Sequence, residues 1–88
     1  MGKSFKVVET KLGQFKAYGM AHLGEDTIEL DSRLKGRKRL EIVLHECLHL
    51  LNPSMSEEEV IRQSKKMCLT LWKLNYRCVD NQKGDPLQ

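Results

Sequence analysis

Leu40-Glu41-Ile42-Val43-Leu44-His45-Glu46-Cys47-Leu48-His49-Leu50-Leu51, followed at once by Asn52-Pro53, is the stretch on which the reading of this chain turns. Apolar residues recur at three- and four-residue spacing with no glycine or proline between them, so the pattern predicts an amphipathic helix from Arg37 to Leu51. Asn52-Pro53 ends it, because proline cannot continue a helix and restricts the residue before it. At about 100° per residue, Leu40, Val43, Leu44, Cys47, Leu48, Leu50 and Leu51 share one broad face, and His45 and His49 lie together on its flank.

Two imidazoles four residues apart on one helical flank can share a single Zn²⁺. Glu46 then stands beside the metal, where a carboxylate can take a proton from water whose pKa the ion lowers to about 7. Cys47 is two residues from each histidine and points away, so it belongs to the core. A catalytic zinc usually has three protein ligands, and the third is expected after the turn at Asn52-Pro53, where a second helix packs back on the first.

Ser56 is a natural N-cap for that helix, with Glu59 three residues on as in a capping box and Met55 and Val60 placed as a hydrophobic staple. The helix is expected to run to Leu74 or Asn75 with Val60, Ile61, Ser64, Met67, Cys68, Leu71, Trp72 and Leu74 as its buried stripe. Glu57 projects in phase with Ile61, Ser64, Cys68 and Leu71, where an acid is costly to bury unless something positive meets it. Glu57 is therefore the expected third ligand. Glu58, near the edge of the face, is the fallback, and Glu59 points to solvent. The competing reading of these acids is compensation of the helix dipole.

Upstream, Phe5–Glu9 and Phe15–Met20 carry β-branched or aromatic residues around a turn signal at Lys11-Leu12-Gly13, and Thr27-Ile28-Glu29-Leu30-Asp31 alternates apolar with polar as a half-buried strand does. The expected fold is α+β: a three-stranded antiparallel sheet, arranged as a meander, followed by the histidine-bearing helix and a second packed helix. One domain over residues 1–78 accounts for these elements, with 79–88 as a flexible tail.

Composition narrows the function classes. The 88 residues are 40% apolar and 31% charged, and no apolar run is long enough to span a bilayer. The start of the chain lacks an apolar core after its basic residues, so no signal peptide is read and the expected location is cytoplasmic. Cys47, Cys68 and Cys78 are odd in number and irregularly spaced, against a disulfide framework or a thiolate zinc ribbon. The net charge of +3 gathers around Arg33, Lys35, Arg37, Lys38 and Arg39, a patch open to weak nucleic-acid contact but more simply a solvated helix start.

With its His-Glu-x-x-His core at 45–49, the chain resembles the zincin metallopeptidases. The stretches Tyr18-Gly19, Ile28 to Gly36, Leu40 to His49, Ser56-Glu57-Glu58 and Leu71 to Tyr76 are similar to the minimal glutamate-ligand type, the minigluzincins, and to short SprT-like and ImmA/IrrE-like proteins of phages and bacteria. The resemblance implies a peptidase acting on a peptide or protein substrate, with His45, His49 and Glu57 or Glu58 holding zinc and Glu46 as general base and acid. It also implies that Thr27–Asp31 is an edge strand pairing with an extended substrate. The three-histidine extension of the metzincins is absent after His49, as is the Asn-Glu-x-x-Ser-Asp element of larger glutamate zincins. Tyr18, His22, Arg33 and Tyr76 are the candidate oxyanion or substrate contacts. The alternatives are a noncatalytic module closed by zinc and a DNA-associated regulatory protease using the Arg33–Arg39 patch. Oligomeric state is not legible.

Overall fold

Ile28 and Leu30 are the most deeply buried apolar residues of the amino-terminal half, and a strand that buries them needs neighbours on both sides. In the computed structural model, which describes residues 2–12 and 18–79, that strand is the centre of a three-stranded sheet. The elements are β1 (Lys6–Thr10), β2 (Gly19–His22), β3 (Thr27–Asp31), α1 (Gly36–Leu51) and α2 (Glu57–Lys73). The fold is α+β, with the sheet preceding both helices.

The sheet is mixed rather than the expected antiparallel meander. Its order is β1-β3-β2, with β1 parallel to β3 (Val7 opposite Ile28, Glu9 opposite Leu30) and β2 antiparallel to β3 (Gly19 opposite Leu30, Ala21 opposite Ile28). Only β2 and β3 are joined tightly, through a turn over Leu23–Asp26 in which Gly24 (φ 89°) and Asp26 (φ 54°) take left-handed conformations. β1 and β2, which follow one another in sequence, thus flank the apolar strand on opposite sides. Of the expected second strand, Phe15-Lys16-Ala17 lies outside the described residues; the described strand begins at Gly19 and continues to His22. The expected tail beyond Val79 also lies outside them.

Polar residues of β3 tie the sheet together. Glu29 accepts from Thr10 Oγ1 of β1 at 2.7 Å and contacts His22 Nε2 of β2 at 3.0 Å. The Thr10 hydroxyl, then His22, hold its carboxyl below the ordinary range. Asp31, only 3% exposed, accepts from the Arg33 backbone N–H (2.9 Å), the Arg33 Nε (3.0 Å) and Nη2 (2.9 Å), and the Leu12 N–H (3.1 Å). This knot fixes the exit from β3 toward α1.

α1 is packed from two directions, which a single-face reading of its sequence misses. Ile42 joins Ile28, Leu30 and Leu34 in the sheet-side core, with Val43, Cys47 and Leu50 against it. On the other side the helix lies along α2, where Glu41 pairs with Lys65 at 3.2 Å. Leu51, expected in the core, is 64% exposed, because the helix ends there and the chain turns away at Asn52.

α2 begins as its sequence dictates: Ser56 Oγ accepts the Glu59 N–H at 3.1 Å, and three glutamates fill the first turn. Glu59 itself pairs with Arg62, which holds its carboxyl down to about 2. Val60, Ser64 and Cys68 form the buried stripe; Ile61 and Met67, expected in it, lie exposed on its flank because the face against α1 is narrow, and Leu74 is exposed since the helix closes there in a Schellman arrangement with Asn75 at φ 71° and Tyr76 N donating to Leu71 O. The helices run antiparallel, so Trp72 comes up against Gly36 while Glu57 lies at the far end, beside His49. All three cysteines are free, and among the described residues no helix is long and apolar enough to cross a membrane.

Candidate metal centre

His45 and His49 occupy successive turns of α1, and their ring planes meet edge to face with centroids 4.8 Å apart. Their Nε2 atoms are 3.2 Å from each other. From the first turn of α2, Glu57 reaches across: Oε2 lies 3.2 Å from His45 Nε2 and Oε1 2.9 Å from His49 Nε2. Taking one ligand atom from each residue, the three lie within 4.8 Å of one another, and they are the group among the described residues with the makings of a metal site.

The donor set fits zinc. Nitrogen and oxygen ligands about 2.0–2.2 Å from a tetrahedral ion lie roughly 3.3–3.6 Å apart, so the two imidazole nitrogens, 3.2 Å apart, need to widen only slightly, while Glu57, which turns a different oxygen to each histidine, would bring one oxygen to the ion by a small rotation of its exposed carboxylate. Burial pushes the His45 pKa below its ordinary value, although the Glu57 carboxylate opposes this, so the ring favours the neutral form that ligates. Glu57 is not the buried acid that its helical phase suggested: its side chain is 61% exposed. It meets the histidines because the short turn at Asn52–Ser56 swings the start of α2 over the last turns of α1. Glu58 and Glu59 are not brought to the cluster.

Glu46 follows His45 by one residue, so it turns about 100° around the helix and faces the sheet. It is 7% exposed and packs against Gly19 of β2. Burial raises its pKa, which makes it a better proton acceptor than a solvated carboxylate. Burial likewise raises the Cys47 thiol, which remains a packing residue.

The four candidate oxyanion or substrate contacts fare differently. His22 is engaged with Glu29, a side chain of the sheet face turned away from Ile28 and Leu30, and so away from α1. Arg33 is committed to Asp31 through two side-chain nitrogens. Tyr76 follows the end of α2, at the opposite end of the helix pair from Glu57. Tyr18 is the chain neighbour of Gly19, but its exposed ring lies under Lys38 Nζ, 5.0 Å from the centroid and two helical turns before His45. In the basic cluster, Arg39 is also paired, with Glu9 at 3.1 Å.

Gly19 is the site residue that pattern reading did not assign. Its signal was the small-residue alternation of β2, in which Gly19 and Ala21 occupy the positions facing α1. The edge role expected of Thr27–Asp31 is excluded by its central position; among the described residues the free edge beside α1 belongs to β2. Comparison with protein-family models, with curated proteins and with solved structures returned no match, so the site is interpreted from its own geometry.

Proposed function

We propose that this chain is a zinc-dependent peptidase of minimal zincin type, acting on an extended peptide or protein segment in the cytoplasm. The observation that carries the reading is the convergence of His45 Nε2, His49 Nε2 and the Glu57 carboxylate beside Glu46, a buried residue whose carboxylate has no hydrogen-bond donor among the described residues. His45, His49 and Glu57 would hold the ion. When bound, zinc supplies Lewis-acid polarisation of a carbonyl and acidifies water.

Glu46 accepts the proton of the attacking water and returns it to the leaving nitrogen, a role suited to a carboxylate whose pKa burial has raised. Three protein donors with one exposed member leave room for a substrate atom, which supports a catalytic over a closed structural site. The substrate would add to β2. Tyr18 O accepts from Asp31 N, so the alternation of an antiparallel ladder turns the N–H and C=O of Gly19 and Ala21 toward the free edge.

The test is metal analysis with a peptide library on wild type and four variants. Glu46→Gln should retain one zinc per chain while cleavage falls by roughly 10²–10⁴-fold. His49→Ala should lose both zinc and cleavage, Glu57→Gln should bind zinc about a hundredfold more weakly, and Glu58→Gln should change neither. A fully loaded protein that cleaves nothing, and whose Glu46→Gln variant behaves identically, would leave only the noncatalytic, zinc-stabilised module.

A further inference from the structure

We propose that Gly19 is a positioning residue for Glu46: strand β2 passes the helix without a side chain so that main chain, rather than a hydrogen bond, aims the carboxylate. This rests on the peptidase reading of Glu46. Among the described residues no donor holds the Glu46 carboxylate, whose oxygens are not sealed from solvent, so what fixes the base of this largely buried residue is the packing of its stem. What packs on it is β2. A Cβ built on Gly19 would lie 3.1 Å from Glu46 Cγ, 2.9 Å from Ile42 Cγ2 and 3.1 Å from the Glu29 carbonyl oxygen.

These three neighbours differ in how far they can yield. The Glu29 oxygen belongs to the main chain of the central strand, paired on both sides. Ile42 is locked in the core with Ile28, Leu30 and Leu34. Glu46 is the partner that moves, because its stem ends in an unbonded carboxylate. A glycine is also not required by the backbone here: the left-handed glycines of the described chain are Gly24 and Gly36, and Gly19 is not among them. Its missing side chain answers to space. By contrast, a Cβ at Gly2 or Gly24 would meet nothing within 4 Å.

A methyl group at position 19 therefore displaces the stem of the base while leaving His45 and His49, which face α2, and Glu57, on α2 itself, where they are. The experiment compares Gly19→Ala, Ile42→Leu and the double variant, each with Glu46 and with Glu46→Gln, in the zinc-loaded full chain. Ile42→Leu moves the branch from Cβ to Cγ, which removes the nearest contact at nearly constant volume.

For Gly19→Ala the expected result is zinc affinity within about twofold of wild type, with kcat reduced about 10- to 100-fold and KM little changed, as misplacement of a reacting group by a fraction of an ångström predicts. Acetohydroxamate, a small metal-directed probe that can donate a hydrogen bond to Glu46, should bind Gly19→Ala about fivefold more weakly, and equally well with or without the methyl group once Glu46 is Gln. Adding Ile42→Leu should restore the melting temperature but not kcat.

Unchanged kcat in Gly19→Ala overturns the proposal, as does recovery of both stability and kcat in the double variant, which would make Gly19 a packing spacer. If the wild type shows no turnover at all, the peptidase reading fails instead. The acetohydroxamate comparison then decides alone, and an effect of the methyl group that persists with Glu46→Gln would dismiss the positioning role.

Discussion

Zinc should act on this fold as a clamp between its helices, and the size of the effect follows from where the donors lie. His45 and His49 belong to α1 and Glu57 to α2, so the complete set exists only when the helices are packed. A ligand that binds only the folded state stabilises it by about 2.7 kcal/mol at a free concentration one hundred times its Kd. For a domain of this size about 1 kcal/mol moves the melting temperature by roughly 4–8 °C, so saturating zinc should raise it by about 11–22 °C.

Glu57→Gln sharpens the test. A hundredfold weaker site at the same free zinc is half filled, which leaves about 0.4 kcal/mol and a shift of roughly 2–3 °C. Glu58→Gln should keep the whole shift. Thermal unfolding by circular dichroism in zinc buffers at neutral pH, where burial favours the neutral His45 ring, reads all three proteins. Equal shifts in Glu57→Gln and Glu58→Gln, or a full shift in a His45→Ala/His49→Ala variant, would refute the assignment of the donors.

Three other outcomes are expected. Ser56→Ala removes the acceptor for the Glu59 N–H and should cost about 1 kcal/mol, read as a fall of roughly 4–8 °C in melting temperature that Ser56→Asp restores. Asp31→Asn should lower the denaturation midpoint at pH 7. Arg33 holds the Asp31 carboxyl below its ordinary 3.8, so the folded state keeps the charged form that the unfolded chain would protonate first; the stability it contributes is present above that value and drains away as pH falls through the lower folded one, where variant and wild type should converge. Ala21→Pro deletes one outward N–H at the edge of β2, and peptide KM should rise roughly 3- to 10-fold with the fold retained, measured by steady-state cleavage.

Local chemistry made the helices legible. The Asn52-Pro53 stop, the Ser56 cap and the apolar spacing of 40–51 each act within a few residues of where they stand, and α1 and α2 begin and end close to the expected bounds. The same holds for β3, whose alternation is local. Pairing is not: Lys6–Thr10 carries nothing to tell a parallel partner 21 positions away from an antiparallel one nearby, and the mixed order goes with the burial of Ile28 and Leu30 between two flanking strands. His45 and His49 were marked by spacing alone. Glu57 was reached by a phase argument that assumed burial, whereas its exposed carboxylate arrives through the geometry of the turn. Gly19 and Ile42 escaped because their importance lies in a contact between strand and helix that neither local pattern encodes.

The spacing within His45–His49 divides one helix among three neighbours. A step of one residue carries Glu46 about 100° from His45, from the seam with α2 to the wall formed by β2. A further step puts Cys47 with Val43 and Leu50 on the core of the sheet, and the step to His49 completes a turn and returns to the seam. The proposed ligands and the proposed base are thus anchored by different partners, the ligands by the start of α2 and the base by the main chain of β2. A disturbance of the Asn52–Ser56 turn should therefore weaken metal binding while leaving Glu46 in place, and a disturbance of β2 should do the reverse. On the proposed reading, that separation lets a bound ion stay fixed while the carboxylate beside it, without a donor among the described residues, stays free to take up a proton.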